Sequence, residues 1–396
     1  MKIRMPIKIL SVLMCCALLI CGMPGLVDSA QAAGSGVIRV RIATASDVSR
    51  VVVLSRGNYS IDGDASRPFT SGKTATVYVE GGQLHVTVDG VTYDMGSSFK
   101  LVRHLPDEVT NAVSFSTPKL SNYFPGDVEF VLTGGTIQTV NHVYIEDYLR
   151  GVLAAEWSEG HAYESLKAMA VIARTYARRY MASPAGSYYD IKNTSAHQNY
   201  KGVVPSQSNT ARAVSETEGI VVRYNGSLIE SVYGASNGGQ IESAQNWWGG
   251  SGYPYYKVKD DPYDYANPSS PVKRLTVYSN FDAHLSSTGM SALNKLLLSE
   301  VADELDDALY STDTDDITIK TVVDVYPHTP KYSSPSRVYT KMRFELKVAS
   351  VSKSTGAAQD VPGTVEVDLD IFDDLDNSTF GLSLNGSANE LFTVEE

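Results

Sequence analysis

Cysteine is nearly absent. The 396 residues hold three, Cys15, Cys16 and Cys21, all near the N-terminus. Beyond Cys21 the chain can form no internal disulfide and offers no thiolate to a metal. Basic charge is also in short supply. Lys and Arg total 33 against 45 Asp and Glu, a formal net charge of -12 at pH 7. That balance excludes nucleic acid as a partner, because phosphate binding needs a basic surface. It also suits anionic polymers such as teichoic acids poorly. Internal repeats and low-complexity linkers are missing, and so are long apolar runs after residue 23. Without disulfides the fold must rest on its core, and the chain is long enough to bury one or more.

The one apolar run that is present reads as an export signal over residues 1–33. Lys2, Arg4 and Lys8 give a positive start, residues 9–23 are apolar, and Ala30-Gln31-Ala32 supplies an A-x-A cleavage site. The run falls short of the ~20 apolar residues that span a bilayer; an uncleaved anchor is the alternative. Bulky Ile20 before Cys21 disfavours lipid attachment there. Lys2, Arg4 and Lys8 against Asp28 give this segment a charge of +2, so the remainder carries -14. The expected location is outside the cytoplasm, secreted or associated with the wall or membrane.

From residue 36 to about 140, β-branched runs alternate with turns. They include 37–42 (VIRVRI), 51–54 (VVVL), 75–79 (ATVYV) and 83–88 (QLHVTV), with Gly81-Gly82 and Asp89-Gly90 between strands. The pattern changes at Ile145. A short helix is predicted to about Ala155 and a longer one from about Ala162 to Ala182. In the second, Leu166, Met169, Ala170, Ala173, Tyr176, Ala177 and Tyr180 recur at helical spacing, and Pro184 and Gly186 stop it. Strands return at 220–224 and 227–233 around an Asn225-Gly226 hairpin turn. A helix over 290–309 and further strands follow. The run 365–371 (VEVDLDI) alternates as a strand with a solvated acidic face.

Five blocks carry a resemblance. Residues 143–156 (VYIEDYLRGVLAAE) resemble the opening of the SpoIID domain, named for stage II sporulation protein D, and are similar to the LytB amidase-enhancer proteins. The likeness continues through 164–177 (ESLKAMAVIARTYA) and 198–202 (QNYKG). It ends with Ala213-Val214 beside Thr217-Glu218-Gly219 and then with 233–239 (YGASNGG). It is strong from about 141 to 265 and weak after Pro271. The domains expected are a β-rich region over 34–140, a SpoIID-like catalytic core over 141–270, and a divergent α/β region over 271–396; the alternative at the first boundary is that the β-rich stretch folds around the helices as one unit. The fold class expected is α+β: β-rich, with a central segment of two helices carrying the active site packed on antiparallel strands.

The resemblance implies a lytic transglycosylase that cuts the β-1,4 bond between N-acetylmuramic acid and N-acetylglucosamine and leaves a 1,6-anhydro end. One carboxyl group suffices: it protonates the leaving oxygen, then takes the proton of the muramic 6-hydroxyl. Other glycosidases need two carboxylates. The matching acid is Glu156. It follows apolar residues 152–155 and precedes Trp157, surroundings that disfavour its charged form. Lys167 and Arg174, seven apart and so on one helical face, are implied as donors to substrate or as partners of Glu156. Gln198, Tyr200, Tyr233 and Ser236 are implied to bind substrate. Trp247 and Trp248, beside Gly249-Gly250, suit a glycan platform as well as they suit packing.

Two departures from the family pattern stand out. No cysteine accompanies His197, so no metal and no cofactor is expected. Ala235 and Asn237 stand where serines are common. The partners expected are peptidoglycan glycan strands and a cell-wall amidase. The alternative to the enzyme is a glycan-binding enhancer of that amidase.

Overall fold

The computed structural model describes residues 27–29, 36–105, 109–181, 187–234, 237, 239–266, 275–281, 285, 288–375 and 392–395. Of the expected export signal only Val27–Ser29 is among them. The chain divides into two compact units at Tyr233 and Gly234. Both are built from antiparallel strands with a few helices, an α+β fold.

In the first unit, alternation makes the sheets. Arg50–Ser55 buries Val51, Val53 and Ser55 and turns the residues between them outward, the period of two that a half-buried strand imposes. It lies in a six-stranded antiparallel sheet ordered Leu120–Pro125, Ala112–Thr117, Arg50–Ser55, Thr74–Glu80, Gln83–Val88, Val91–Gly96. A second sheet runs Ile191–Lys192, Val37–Arg41, Thr136–Tyr144, Asp127–Thr133, Ser98–Arg103, Tyr59–Ile61, Pro68–Phe69. Only its first pair is parallel. The turns follow the dipeptides. Gly81-Gly82, Asp89-Gly90 and Asn225-Gly226 all take positive φ at both positions, the requirement of a type I′ hairpin.

Three helices complete this unit: α1, Ile145–Glu156; α2, Tyr163–Met181; and α3, Ser208–Glu216. Helix α1 leaves the strand Thr136–Tyr144 without a break. Glu146 and Asp147 occupy its first turn, where the helix dipole favours negative charge. It buries Ile145, Tyr148, Leu149, Val152 and Leu153, a stripe at helical spacing. These residues join one core with Val53, Phe99 and Phe130 of the sheets and Ala170 and Ala173 of α2. The expected boundary near 140 is therefore absent. Val140 is buried inside a strand, and sheets and helices bury their apolar faces on each other. The chain divides at 233/234 instead of near 270.

In the second unit, Ile317–Pro330 and Tyr339–Val351 form a long hairpin, and Val365–Asp370 adds to the latter. Helix Thr288–Glu304 contributes Leu293, Leu297 and Val301 to its core. Val367 and Leu369 face that core. On the acidic face Arg343 bridges Glu366 at 2.7 Å and Asp368 at 2.8 Å.

Gly151 shows how closely α1 packs. A Cβ there would lie 2.4 Å from Cε2 of Tyr200. Replacing an interior helical glycine by alanine normally stabilises by ~1 kcal/mol. Here overpacking reverses the sign, and Gly151→Ala is expected to cost ~1–3 kcal/mol in urea unfolding. Tyr200→Leu in the same chain should relieve part of that cost.

His142 supplies a pH dependence. Its Nε2 lies 2.7 Å from Glu129 Oε2. Burial and Lys100 nevertheless outweigh the Glu129 carboxylate, and the ring's pKa is lowered from its ordinary 6.5. The unfolded chain then binds more protons than the folded one below about pH 6.5, so stability rises with pH in that window. The urea midpoint should fall as pH drops from 7 towards 5.5. His142→Gln should flatten that part of the curve.

Candidate active site

Glu156 is the last residue of α1 and is half-buried. The next residue, Trp157, turns extended, and its N–H still reaches Leu153 O at 2.9 Å. The Glu156 carboxylate is held from one side. Its Oε1 accepts the main-chain N–H of Asn199 at 2.6 Å. Its Oε2 has no hydrogen-bond partner among the described residues. Trp157 is fixed by α2: Nε1 donates to Ser165 Oγ at 3.3 Å, and the ring meets His161 with centroids 4.9 Å apart.

The segment that carries Asn199 is anchored by its neighbours. Gln198 is fully buried. Its Oε1 accepts from the Tyr148 hydroxyl at 3.1 Å, and its Nε2 donates to Ala173 O and to the Tyr233 hydroxyl, each at 3.3 Å. Tyr200 is fully buried as well. Its hydroxyl donates to Asn141 Oδ1 at 3.1 Å, and its ring packs on those of Phe124 and Tyr148. Two core side chains thus flank Asn199 and hold its amide against Glu156.

Tyr233 joins the cluster through Gln198. Burial pushes its hydroxyl pKa up, the Gln198 amide pulls it down, and the Glu156 carboxylate pushes it up again, for a net rise. Burial likewise raises Tyr148 well above 10.0. Both phenols are therefore protonated near neutral pH. The gathered set is a half-buried carboxyl group with one oxygen unpartnered among the described residues, and a protonated phenol tied through Gln198 to the segment that holds it. It can give and take a proton.

Glu159 shows the contrast. Its oxygens accept from Asn209 N at 2.7 Å, Thr210 N at 3.0 Å and Thr210 Oγ1 at 2.6 Å, at the start of α3. Burial acts to raise its pKa, and these bonds outweigh burial and lower it. That carboxylate is committed to α3.

Arg174 and Lys167 do share one face of α2, but the face meets α3 and not Glu156. Arg174 is fully buried. Its Nη2 lies 2.6 Å from Glu146 Oε2, and its Nε 3.0 Å from Oε1. It also donates to Val214 O at 3.1 Å and Ile220 O at 3.2 Å. Lys167 Nζ sits 3.4 Å from Glu164 and 3.8 Å from Glu216, a surface pairing worth ~0–1 kcal/mol. Neither side chain is the partner of Glu156, and Arg174 has no surface to offer a substrate. The same holds for Gln198 and Tyr200, which work from inside. Ser236 lies outside the described residues. His197 sets its ring edge-on to Tyr180 at 5.0 Å, with Nδ1 buried and without a partner among the described residues.

Three contributors escaped the motif reading: Glu146, Tyr148 and the Asn199 amide. Two had a signal. Arg174 falls among the apolar positions of α2, and a buried cation demands an acid. Tyr148 precedes Glu156 by eight residues, two turns and a little, on one side of α1. A main-chain amide has no signal in residue type.

Residues 133–224 match the family model described as stage II sporulation protein. The matched stretch is similar to the SpoIID domain. It takes in α1, α2, α3 and the strand after them, and so contains Glu156, Arg174 and Gln198. Among curated proteins, the chain is 36% identical over 125 residues to an uncharacterized protein of Brachyspira hyodysenteriae (strain ATCC 49526 / WA1). That match covers 31% of this chain and 34% of the relative. An amidase enhancer of Bacillus subtilis (strain 168) is 40% identical over 116 residues, 29% of this chain and 15% of the relative. Stage II sporulation protein D of the same strain is 30% identical over 178 residues, 40% of this chain and 51% of the relative. The SpoIID match thus spans about half the length of its relative, and the enhancer match far less.

Breaking the buried pair should be costly. Arg174→Met leaves Glu146 charged and alone inside, and is expected to lower unfolding free energy by ~3–5 kcal/mol. Adding Glu146→Leu should recover much of the loss, because a well-packed apolar pair can replace a buried ion pair. Denaturant titration of the wild type and the two variants checks this.

Proposed function

We propose that this chain acts on the glycan strands of peptidoglycan as a lytic transglycosylase, with Glu156 as its acid and base. The observation that carries the reading is the Glu156 carboxyl group. Inside the matched stretch it presents one oxygen with no partner among the described residues while the Asn199 amide holds the other. Protonated, Glu156 gives its proton to the oxygen of the β-1,4 bond as that bond breaks. The resulting carboxylate then takes the proton of the muramic 6-hydroxyl as this oxygen closes on C1, leaving the 1,6-anhydro ring and a restored carboxylic acid. No second carboxylate is required. The Tyr233 phenol accepts from Gln198 Nε2 at 3.3 Å and so belongs to the same cluster. An exported chain, secreted or held at the wall or membrane, fits such a substrate.

A second reading has its own support. One relative is named an amidase enhancer, and it shares 40% identity over the matched residues. Arg174, Gln198 and Tyr200 are spent inside the fold, so fewer side chains remain to grip a sugar. In this reading the chain binds glycan strands and stimulates a cell-wall amidase without cutting.

Digestion of purified glycan strands, with and without stem peptides, separates the two. Residues 34–396 should release anhydro-muramic ends detectable by mass spectrometry. Glu156→Gln should slow that release by ~10²–10⁴-fold without changing the melting curve. Strands that bind yet stay intact would sink the enzyme and leave the enhancer.

A further inference from the structure

The second unit carries a surface that neither proton chemistry nor core packing uses. Trp247 and Trp248 end a short helix, Ala244–Trp248, and are 46% and 55% exposed. These are two of the three tryptophans in the chain. Leaving such rings in water forfeits their large burial gain, and neighbouring exposed aromatics mark binding surfaces. The local sequence builds the patch. Ser243 caps the helix by accepting from Asn246 N at 3.2 Å, and Gly249, Gly250 and Gly252 take positive φ, so the chain doubles back. At Gly252 a Cβ would lie 2.9 Å from Gln245. The return brings Tyr253, Tyr255 and Tyr256 beside the tryptophans. Trp248 meets Tyr256 at 6.4 Å, and Tyr253 stacks on Tyr255 at 5.4 Å.

A cleft of about 730 Å³ opens beside this patch, lined by Asn246, Val258, Pro330, Lys331, Tyr332 and Ser333 among others. The wall is braced from behind. Glu242 accepts from Asn246 Nδ2 at 2.8 Å, Ser243 N at 2.6 Å and Ser336 Oγ at 2.5 Å. Gln240 donates to Pro335 O at 2.9 Å. The acid is thus consumed within the wall. Lys331 lies over the Phe372 ring at 4.3 Å. The Asn246 amide turns its Nδ2 to Glu242, and its Oδ1 has no partner among the described residues.

We propose that this aromatic patch, with the cleft beside it, is a saccharide-binding site of the second unit for a chain of neutral β-1,4-linked N-acetylhexosamines. The choice of ligand rests on the glycan-strand reading above. The chemistry of the surface suits it. Flat rings accept the apolar faces of pyranose sugars with little side-chain entropy lost. Amide and hydroxyl groups between the rings match sugar hydroxyls and acetamido groups. The chain's net negative charge, unfavourable to anionic polymers, is no obstacle to neutral sugars.

The test uses residues 34–396 and the β-1,4-linked hexamer of N-acetylglucosamine, followed by calorimetry and by tryptophan emission. The hexamer should shift the emission. Trp247→Ala and Trp248→Ala should each weaken binding about tenfold or more, while Trp247→Tyr and Trp248→Tyr, which keep a ring, retain most of it. Melting curves confirm that the variants fold. The proposal is overturned if the wild type does not bind or if the alanine variants bind undiminished. Cleavage of glycan strands by a chain whose patch binds nothing overturns the patch alone. Patch-dependent binding without any cleavage removes the lytic reading and leaves the patch.

Discussion

Arg174 and Glu146 form the pair around which the SpoIID stretch is organised. A guanidinium with no solvent exposure cannot be left alone in an apolar interior, because desolvating a charge costs far more than one hydrogen bond returns. Its donors reach Glu146 at the start of α1, Val214 in α3 and the Ile220 carbonyl beyond α3, all from the middle of α2. One side chain therefore sets the spacing of three helices and a strand. The planar fork of arginine suits this work, since its donors point in several fixed directions. A lysine would offer a single point of charge.

The geometry of Glu156 follows from that frame. With the start of α1 held by Arg174 and its flank packed on Tyr200 through Gly151, the C-terminal end of α1 has little freedom. The buried ring of Tyr200 and the buried amide of Gln198 place the main chain between them, and that main chain meets the carboxylate. Residues expected to touch a sugar instead build the shelf from which another group works. Polar side chains at a functional site divide in this way between those that face the reactant and those that orient the first set.

The turns, the strand alternation and the helical stripes were legible in the residues. Asn225-Gly226 and Gly81-Gly82 could hardly be anything but hairpin turns, because both positions need left-handed backbone. The apolar spacing of α2 marked its buried face, and Arg174 falls on that face. What spacing could not show was the direction in which the face points. Lys167 and Arg174 share a stripe whether the stripe meets α3 or a substrate groove, since helical periodicity fixes relative azimuth and nothing else. Tyr200 was ambiguous for a similar reason. A tyrosine in a loop can stack on a ligand or fill a core, and the choice depends on Gly151, some fifty residues earlier, having no side chain.

Residue type and local pattern decided the α+β class, the disulfide-free core and the position of Glu156 at a helix end. These are short-range matters, governed by steric preference and by the period of burial along one element. Tertiary structure alone decided that the β-rich stretch and the helices share one core, that Arg174 answers Glu146, and that a main-chain amide holds Glu156. Each of those depends on which elements come into contact across long sequence separations. That outcome is set by the burial of the whole apolar surface and by the demand that every buried charge and amide find a partner.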